Sequence, residues 1–144
     1  MPHRKLKDIV AGQELIHASI EDTVADTVKR MQQNHVGAAV ILDNGELKGI
    51  FTGSNFNNGV LEPKRDPHAT SVAEVMTENP VCLDCEAMGI EAVRHMRERG
   101  IRHIVVLRGS EHGYGVVSVR DFPNEELGDY EKEFEFENKL WESL

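Results

Sequence analysis

Cysteine is scarce in this chain of 144 residues: Cys82 and Cys85 are its two thiols. Two are too few for a disulfide framework and agree with a reducing compartment. Long apolar runs are missing too. None approaches the ~18–20 residues of a membrane span, and the opening Met1-Pro2-His3-Arg4-Lys5-Leu6-Lys7-Asp8 lacks the apolar stretch of a secretion signal. The expectation is a soluble, cytoplasmic protein with no membrane partner. Aromatics make up 6%, so the core must rest on Val, Ile, Leu, Ala and Met. Positive charge is in deficit, with 16 Lys+Arg against 25 Asp+Glu and a net charge of −9, which argues against nucleic acid as a partner. The length suits about one ordinary domain rather than a two-domain enzyme, and 40% hydrophobic residues suit a globular fold rather than disorder.

Several chemistries also lack their residues. Cys82-Leu83-Asp84-Cys85 is a lone Cys-x-x-Cys without the second ligand pair that a structural zinc needs, and in an extended chain its thiols point to opposite faces. The seven histidines show no two-His metal spacing. Ser118 has no His and acid partners at triad spacing, and there is no Gly-x-x-x-x-Gly-Lys phosphate loop. The reading is therefore no catalytic residue, no metal and no required cofactor.

What is present is unevenly spread. Residues 123–144 carry Glu125, Glu126, Asp129, Glu131, Glu133, Glu135, Glu137 and Glu142 against Lys132 and Lys139, a local charge of −6. They also hold four of the eight aromatics, Tyr130, Phe134, Phe136 and Trp141. This segment reads as an acidic amphipathic helix with Leu127, Tyr130, Phe134 and Trp141 along one stripe and Phe136 and Leu140 on the other side. Two apolar sides suggest two contacts, one with its own body and one with a second copy or an unknown protein partner. Docking on its own monomer alone is the simpler alternative.

The remaining chain aligns with itself at an offset of 65–66 residues. Thr27-Val28-Lys29-Arg30-Met31 falls on Ala92-Val93-Arg94-His95-Met96, Val36-Gly37-Ala38-Ala39-Val40-Ile41-Leu42 on Ile101-Arg102-His103-Ile104-Val105-Val106-Leu107, and Gly49-Ile50-Phe51-Thr52 on Gly115-Val116-Val117-Ser118. Each unit reads as a short extended segment, an amphipathic helix (Val24, Val28, Met31; Ile90, Val93, Met96), a β-branched strand, a turn, a second strand and a helix start. The turn is Asp43-Asn44-Gly45-Glu46 in the first unit, an Asn-Gly hairpin signal, and Gly109 to Gly113 in the second. The expected class is α+β (α/β), with two pseudo-symmetric β-α-β-β-α repeats packed into one module, because each alone would expose a sheet face. Repeat 1 spans 5–62, a linker 63–71, repeat 2 72–122 and the acidic helix 123–144; Asn57 to Ser71, with Gly59, Pro63 and Pro67, reads as the connection.

Val75-Met76-Thr77 with Asn79-Pro80-Val81, the Gly100-Ile101-Arg102-His103-Ile104-Val105-Val106 strand and the Gly115-Val116-Val117-Ser118-Val119-Arg120-Asp121 ending together resemble the paired cystathionine-β-synthase (CBS) domain, or Bateman module. The resemblance covers about residues 5–122, and the acidic tail is similar to that of small stand-alone bacterial members. It implies a regulatory module, a homodimer, and an adenosine nucleotide ligand: AMP, ADP, ATP or NAD(H).

Ser118-Val119-Arg120-Asp121 stands where a strand meets an expected helix. There a hydroxyl and free N–H groups suit phosphate, a carboxylate one turn on suits ribose hydroxyls, and Arg120 suits phosphate again. The same pattern is also close to a capping box, and Pro123 must kink or restart the helix. In the first repeat Thr52-Gly53-Ser54-Asn55 has an amide where the acid is expected, so that site should be weaker, differently selective or empty. Between Arg94 and Arg108 five arginines face one acid, a local +4. Arg94, Arg97 and Arg99 read as solvated charge on a helix face, whereas Arg102 and His103 open a buried strand on opposite faces, so that one of the two should face the ligand; the resemblance sends residues at this point to phosphate, of the ligand at either repeat. It also puts the base against Val81, Cys82 and Ile101, with Ile16, His17 and Val36 as first-repeat counterparts, and counts Thr77 among the ligand-binding residues.

Overall fold

The β-branched runs become the central strands of two sheets. The computed structural model describes residues 4–109 and 113–143. One sheet has the order β1 (His17–Ser19), β2 (Ala38–Asp43), β3 (Glu46–Thr52), β4 (Thr77–Glu78); the other has β5 (Cys82–Asp84), β6 (His103–Leu107), β7 (Tyr114–Ser118). In each, the first two strands are parallel and the next pair antiparallel. The parallel pairs are joined by α2 (Val24–Gln33) and α4 (Gly89–Arg99), as a parallel connection requires a crossover. The Thr23 hydroxyl caps α2 by accepting from the Asp26 N–H at 3.1 Å. Asn44 and Gly45 both take positive φ, 51° and 80°, the geometry that the Asn-Gly signal predicts. The second repeat's longer turn lies, at residues 110–112, outside the described residues.

The opening segment of each repeat, its lead-in, packs into the other repeat. Leu6, in α1 (Leu6–Ile9), and Val10 are buried with Ile90, Val93, Ile104 and Val117 of repeat 2. Val72, with Val75 and Met76, sits among Val24, Ile41 and Phe51 of repeat 1. The backbone contacts obey the sequence offset: Leu6 N–H donates to Ala87 O at 2.9 Å and Val72 N–H to Asp22 O at 2.8 Å, while Gly89 N–H donates to Arg4 O at 2.7 Å and Val24 N–H to Thr70 O at 2.9 Å. Burial of each such Leu or Val is worth roughly 1.5–3 kcal/mol, so each core depends on side chains lent by the other half. Two glycines admit the exchange. A β-carbon on Gly49 would lie 2.6 Å from both Met76 Sδ and the Thr77 carbonyl oxygen, and one on Gly115 would lie 3.1 Å from Val10 Cβ. Where β4 pairs with the edge of β3, the side-chain amide of Gln13 serves β7, donating to Val116 O at 2.8 Å and accepting from Val116 N–H at 2.9 Å.

Between the sheets lies a third apolar cluster of Ala38, Val40, Ile50, Val105 and Val116, against which Cys82 packs. Cys85 packs instead with the core of repeat 2, so the two free thiols do face opposite ways. Asn57–Leu61, expected as connection, continues α3 (Gly53–Phe56) as a π-helical turn that buries Val60. Pattern reading missed it because Asn-Asn-Gly carries no helical periodicity; the anchor is one residue.

After Ser118 the expected helix shrinks to a three-residue 3₁₀ turn, Val119–Asp121, and Pro123 then caps α5 (Asn124–Glu142). Proline is tolerated there because no intrahelical N–H is needed. Tyr130 and Phe134 of α5 are 2% and 6% exposed and join Phe122, Ile90 and Val93 in the repeat 2 core. The stripe outlasts the body: Trp141 is 76% exposed, and Phe136 and Leu140 are 63% and 51% exposed. Among the described residues, no helix is long and apolar enough to cross a membrane.

Candidate functional site

Because β5 and β6 start, and antiparallel β7 ends, at one edge of their sheet, three distant segments converge there. Val105 N–H donates to Val81 O at 3.0 Å, His103 lies opposite Ser118 in register, and Val119 N–H donates to Arg102 O at 3.0 Å. This brings Val81, Cys82, Ile101, Arg102, His103, Ser118, Arg120 and Asp121 to one edge. The first repeat repeats the construction: Val40 N–H donates to Ile16 O at 3.0 Å and Ala38 lies opposite Thr52. Ile16, His17, Val36, Thr52 and Asn55 thus form a second, separate edge cluster.

At the second repeat the Ser-x-x-Asp pattern forms a compact capping arrangement. The Ser118 N–H donates to Asp121 Oδ2 at 2.7 Å, and the Ser118 hydroxyl accepts from the Arg120 N–H at 3.1 Å. Among the described residues Asp121 Oδ1 has no hydrogen-bond donor, and Asp121 is exposed. A three-residue turn has almost no aligned dipole, so positive potential here must come from side chains rather than from a helix end. Arg102 and Arg120 are exposed and hold no ion pair among the described residues. His103 is half-buried and reaches across the module, where a β-carbon on Gly37 would lie 3.5 Å from its Nε2. Burial, then the charges of Arg102 and Arg120, hold the imidazole below its usual pKa, with Asp121 pulling the other way. Val81 and Ile101 pack on their own core; the Cys82 thiol donates to Pro80 O at 3.3 Å, and burial pushes its pKa up.

The first cluster is uncharged by comparison. Gly37, Ala38 and Ser54 stand where the second repeat has Arg102, His103 and Arg120. Asn55 Oδ1 accepts from the Thr52 N–H at 2.9 Å and the Thr52 hydroxyl at 3.1 Å, and its Nδ2 donates to Thr77 Oγ1 at 3.1 Å. Thr77 therefore belongs with the first cluster, carried there by the exchanged lead-in. His17 is exposed, its carbonyl accepting from Arg30 Nη1 at 2.9 Å, while Ile16 packs on the repeat 1 core.

The arginine run divides. Arg94 and Arg97, expected as solvated charge, instead hold α5: Arg94 Nη2 lies 2.9 Å from Glu137 Oε1, Arg97 Nη1 lies 2.8 Å from Glu131 Oε2, and both guanidinium groups stack on Phe134 at 5.3 and 5.4 Å from its ring centre. Helix periodicity showed their exposure but could not show an approaching acidic helix. Arg4 was missed altogether. Its Nε and Nη2 donate to Glu126 at 3.0 and 2.7 Å, and Nη2 also donates to the Asp121 carbonyl at 2.9 Å. Extending the offset to Arg4 and Thr70 would have placed it beside repeat 2. Among the described residues no group of three His, Cys, Asp or Glu could hold a metal.

Comparison with known proteins bears on the family and the fold. The CBS domain family model matches residues 6–57 and again 72–124. The mitochondrial CBS domain-containing protein CBSX3 of Arabidopsis thaliana is 32% identical over 122 residues, covering 81% of this chain and 59% of the relative. The meiotically up-regulated gene 70 protein of Schizosaccharomyces pombe is 29% identical over 111 residues, covering 77% of this chain but 15% of the relative. The chain thus spans under two thirds of either relative. A CBS domain protein of Thermoplasma acidophilum superposes with a TM-score of 0.77 at 18% identity, covering 90% of this chain and 75% of that one. One from Pyrobaculum aerophilum, solved in complex with AMP, gives 0.74 at 17% identity, covering 89% and 98%.

Proposed function

The chain belongs to the CBS-domain family, with two repeats, and from that premise we propose that it is a cytoplasmic regulatory module that binds an adenosine nucleotide at the second repeat without turning it over. AMP, ADP, ATP and NAD(H) are the ligand set. The observation that carries the reading is Asp121, whose Oδ1 has no donor among the described residues while the cationic Arg102 and Arg120 have no ion pair. A free carboxylate oxygen suits vicinal ribose hydroxyls, the cations suit phosphate, and the Pyrobaculum relative was solved with AMP. His103 completes the phosphate end. Ser118 offers its hydroxyl; Val81, Cys82 and Ile101 flank the base. Phe136, Leu140 and Trp141 on the overhang of α5 support association with a second copy.

A purely structural dimerisation module with vestigial clefts is the alternative, and the internally satisfied Asn55 of the first repeat favours it at that cleft only. The two readings separate in a titration of AMP, ADP, ATP, NAD and NADH against thermal stability, run on the wild type and on Asp121→Ala. A ligand at 100 times its Kd adds ~2.7 kcal/mol, and Asp121→Ala should lose most of that gain. No stabilisation by any compound, or an equal response from Asp121→Ala, rejects the nucleotide site.

A further inference from the structure

The repeat offset turns the two clefts into a controlled comparison. Asp121 in repeat 2 corresponds to Asn55 in repeat 1, and Thr77, which Asn55 contacts, corresponds to Ala11. The two differences are chemically linked. An amide in place of the acid brings an NH₂ group that needs an acceptor, and the Thr77 hydroxyl supplies one at 3.1 Å. Where the acid stands, the partner position is a methyl group and the second carboxylate oxygen has no donor among the described residues. Both ends of the Asn55 amide are thus engaged: Oδ1 by the backbone and hydroxyl of Thr52, Nδ2 by Thr77.

We infer that the Asn55–Thr77 pair is a lock that keeps the first cleft closed to ligand, so that each chain takes up one nucleotide and takes it at the second repeat. A ribose entering the first cleft must displace a hydrogen bond between two protein side chains and finds no charged acceptor in return, which makes exchange unfavourable. Thr77 acts as a positioning residue: it reaches the first repeat only because the lead-in crosses over, and it holds Asn55 in the capping role. The position of Gly37 and Ser54 opposite Arg102 and Arg120 adds that an opened first cleft would recognise the nucleoside and gain nothing from its phosphate.

The inference rests on the nucleotide reading for the wild-type count alone, and calorimetric titration with AMP and with adenosine separates the two. The wild type should bind one AMP per chain. The double variant Asn55→Asp/Thr77→Ala, which recreates the Asp121/Ala11 combination, should bind a second nucleoside, with adenosine and AMP within about threefold of each other at the new site. Thr77→Ser keeps the hydroxyl and should stay at one. Two ligands per wild-type chain, or a double variant still at one, overturns the lock and leaves the second-repeat site standing. A wild type that binds nothing while the double variant binds one adenosine sustains the lock and refutes the proposed site. Binding by neither protein refutes both. Retention of the second-repeat AMP in the double variant reports that it is folded.

Discussion

Replacing Phe134 by alanine tests whether α5 is part of the repeat 2 core or an appendage lying on it. The ring is 6% exposed within the cluster that includes Ile90, Val93, Phe122 and Tyr130. Truncating a buried phenylalanine costs about 3–5 kcal/mol. The ring is also the platform for Arg94 and Arg97, at 5.3 and 5.4 Å, and each stacked cation contributes about 0.5–1 kcal/mol at a partly exposed site. The flanking pairs with Glu137 and Glu131, all roughly 40–50% exposed, add at most about 1 kcal/mol each. A loss of ~4 kcal/mol is therefore expected, read as a lower urea midpoint at unchanged slope, together with faster amide exchange along 131–142. Phe134→Leu keeps apolar volume but removes the π face, and should cost about half as much. Trp141→Ala, on the same stripe of the helix but 76% exposed, should stay within about 0.5 kcal/mol. If Phe134→Ala costs under ~1 kcal/mol with exchange unaltered, or if Trp141→Ala costs as much as Phe134→Ala, the assignment of α5 to the core is wrong.

His103 should make stability and binding respond to pH in opposite senses. Its folded pKa lies below the unfolded value, so its contribution is complete above the unfolded pKa of about 6.5 and is lost as pH falls through the folded one. The melting temperature of the free protein should drop more between pH 7 and 5 in the wild type than in His103→Gln. A phosphate against the ring favours the imidazolium, so the thermal gain from AMP should grow from pH 8 to 6.5, above the second phosphate pKa of about 6. An equal gain across that interval, or growth that persists in His103→Gln, rejects His103 as a phosphate ligand. Gly49→Ala and Gly115→Ala probe the exchanged lead-ins by chemical denaturation. The first drives a β-carbon to 2.6 Å from a backbone oxygen and should cost about 2–3 kcal/mol, whereas the second meets Val10 at 3.1 Å and should cost about 1. The reverse order would contradict the packing at Met76.

Much of this was readable along the chain because it is local. The repeat, the strand order within each unit, the Asn44-Gly45 hairpin and the acidic amphipathic helix all follow from patterns a few residues long. The crossing of the lead-ins does not. The apolar spacing of Leu6, Ile9 and Val10 says that they are buried, yet it is silent on which of two similar cores receives them. Extending the 66-residue offset to pair Leu6 with Val72 and Val10 with Met76 shows the segments are equivalent, and only the three-dimensional contacts show them exchanged. The same limit applies to charge. Arg94 and Arg97 are exposed by periodicity, and their respective partners Glu137 and Glu131 lie far along the chain on another helix. At the candidate site the residue types were legible, whereas the tie between Asn55 and Thr77 needed the crossing.

The exchange also changes how the two repeats should be counted. Repeat 1 without 72–76 lacks Val72, Val75 and Met76 from its core; repeat 2 without 6–10 lacks Leu6 and Val10. At roughly 1.5–3 kcal/mol for each buried side chain, either deficit is comparable to much of a small domain's net stability. Neither repeat is then a folding unit by itself, and the apolar contact between the sheets through Val40, Ile50, Val105 and Val116 joins halves that are already interlocked. The acidic tail enters the same account. Glu126, Glu131 and Glu137 face Arg4, Arg97 and Arg94, so much of the local −6 serves to hold α5 against repeat 2. With Arg94 and Arg97 committed to that helix, Arg102 and Arg120 are the cations near His103 at the edge of repeat 2, and Gly37 and Ser54 stand in their places in repeat 1. The sequence is nearly symmetric in its core and asymmetric in its charge, and it is on that asymmetry that the proposed nucleotide site at repeat 2 rests.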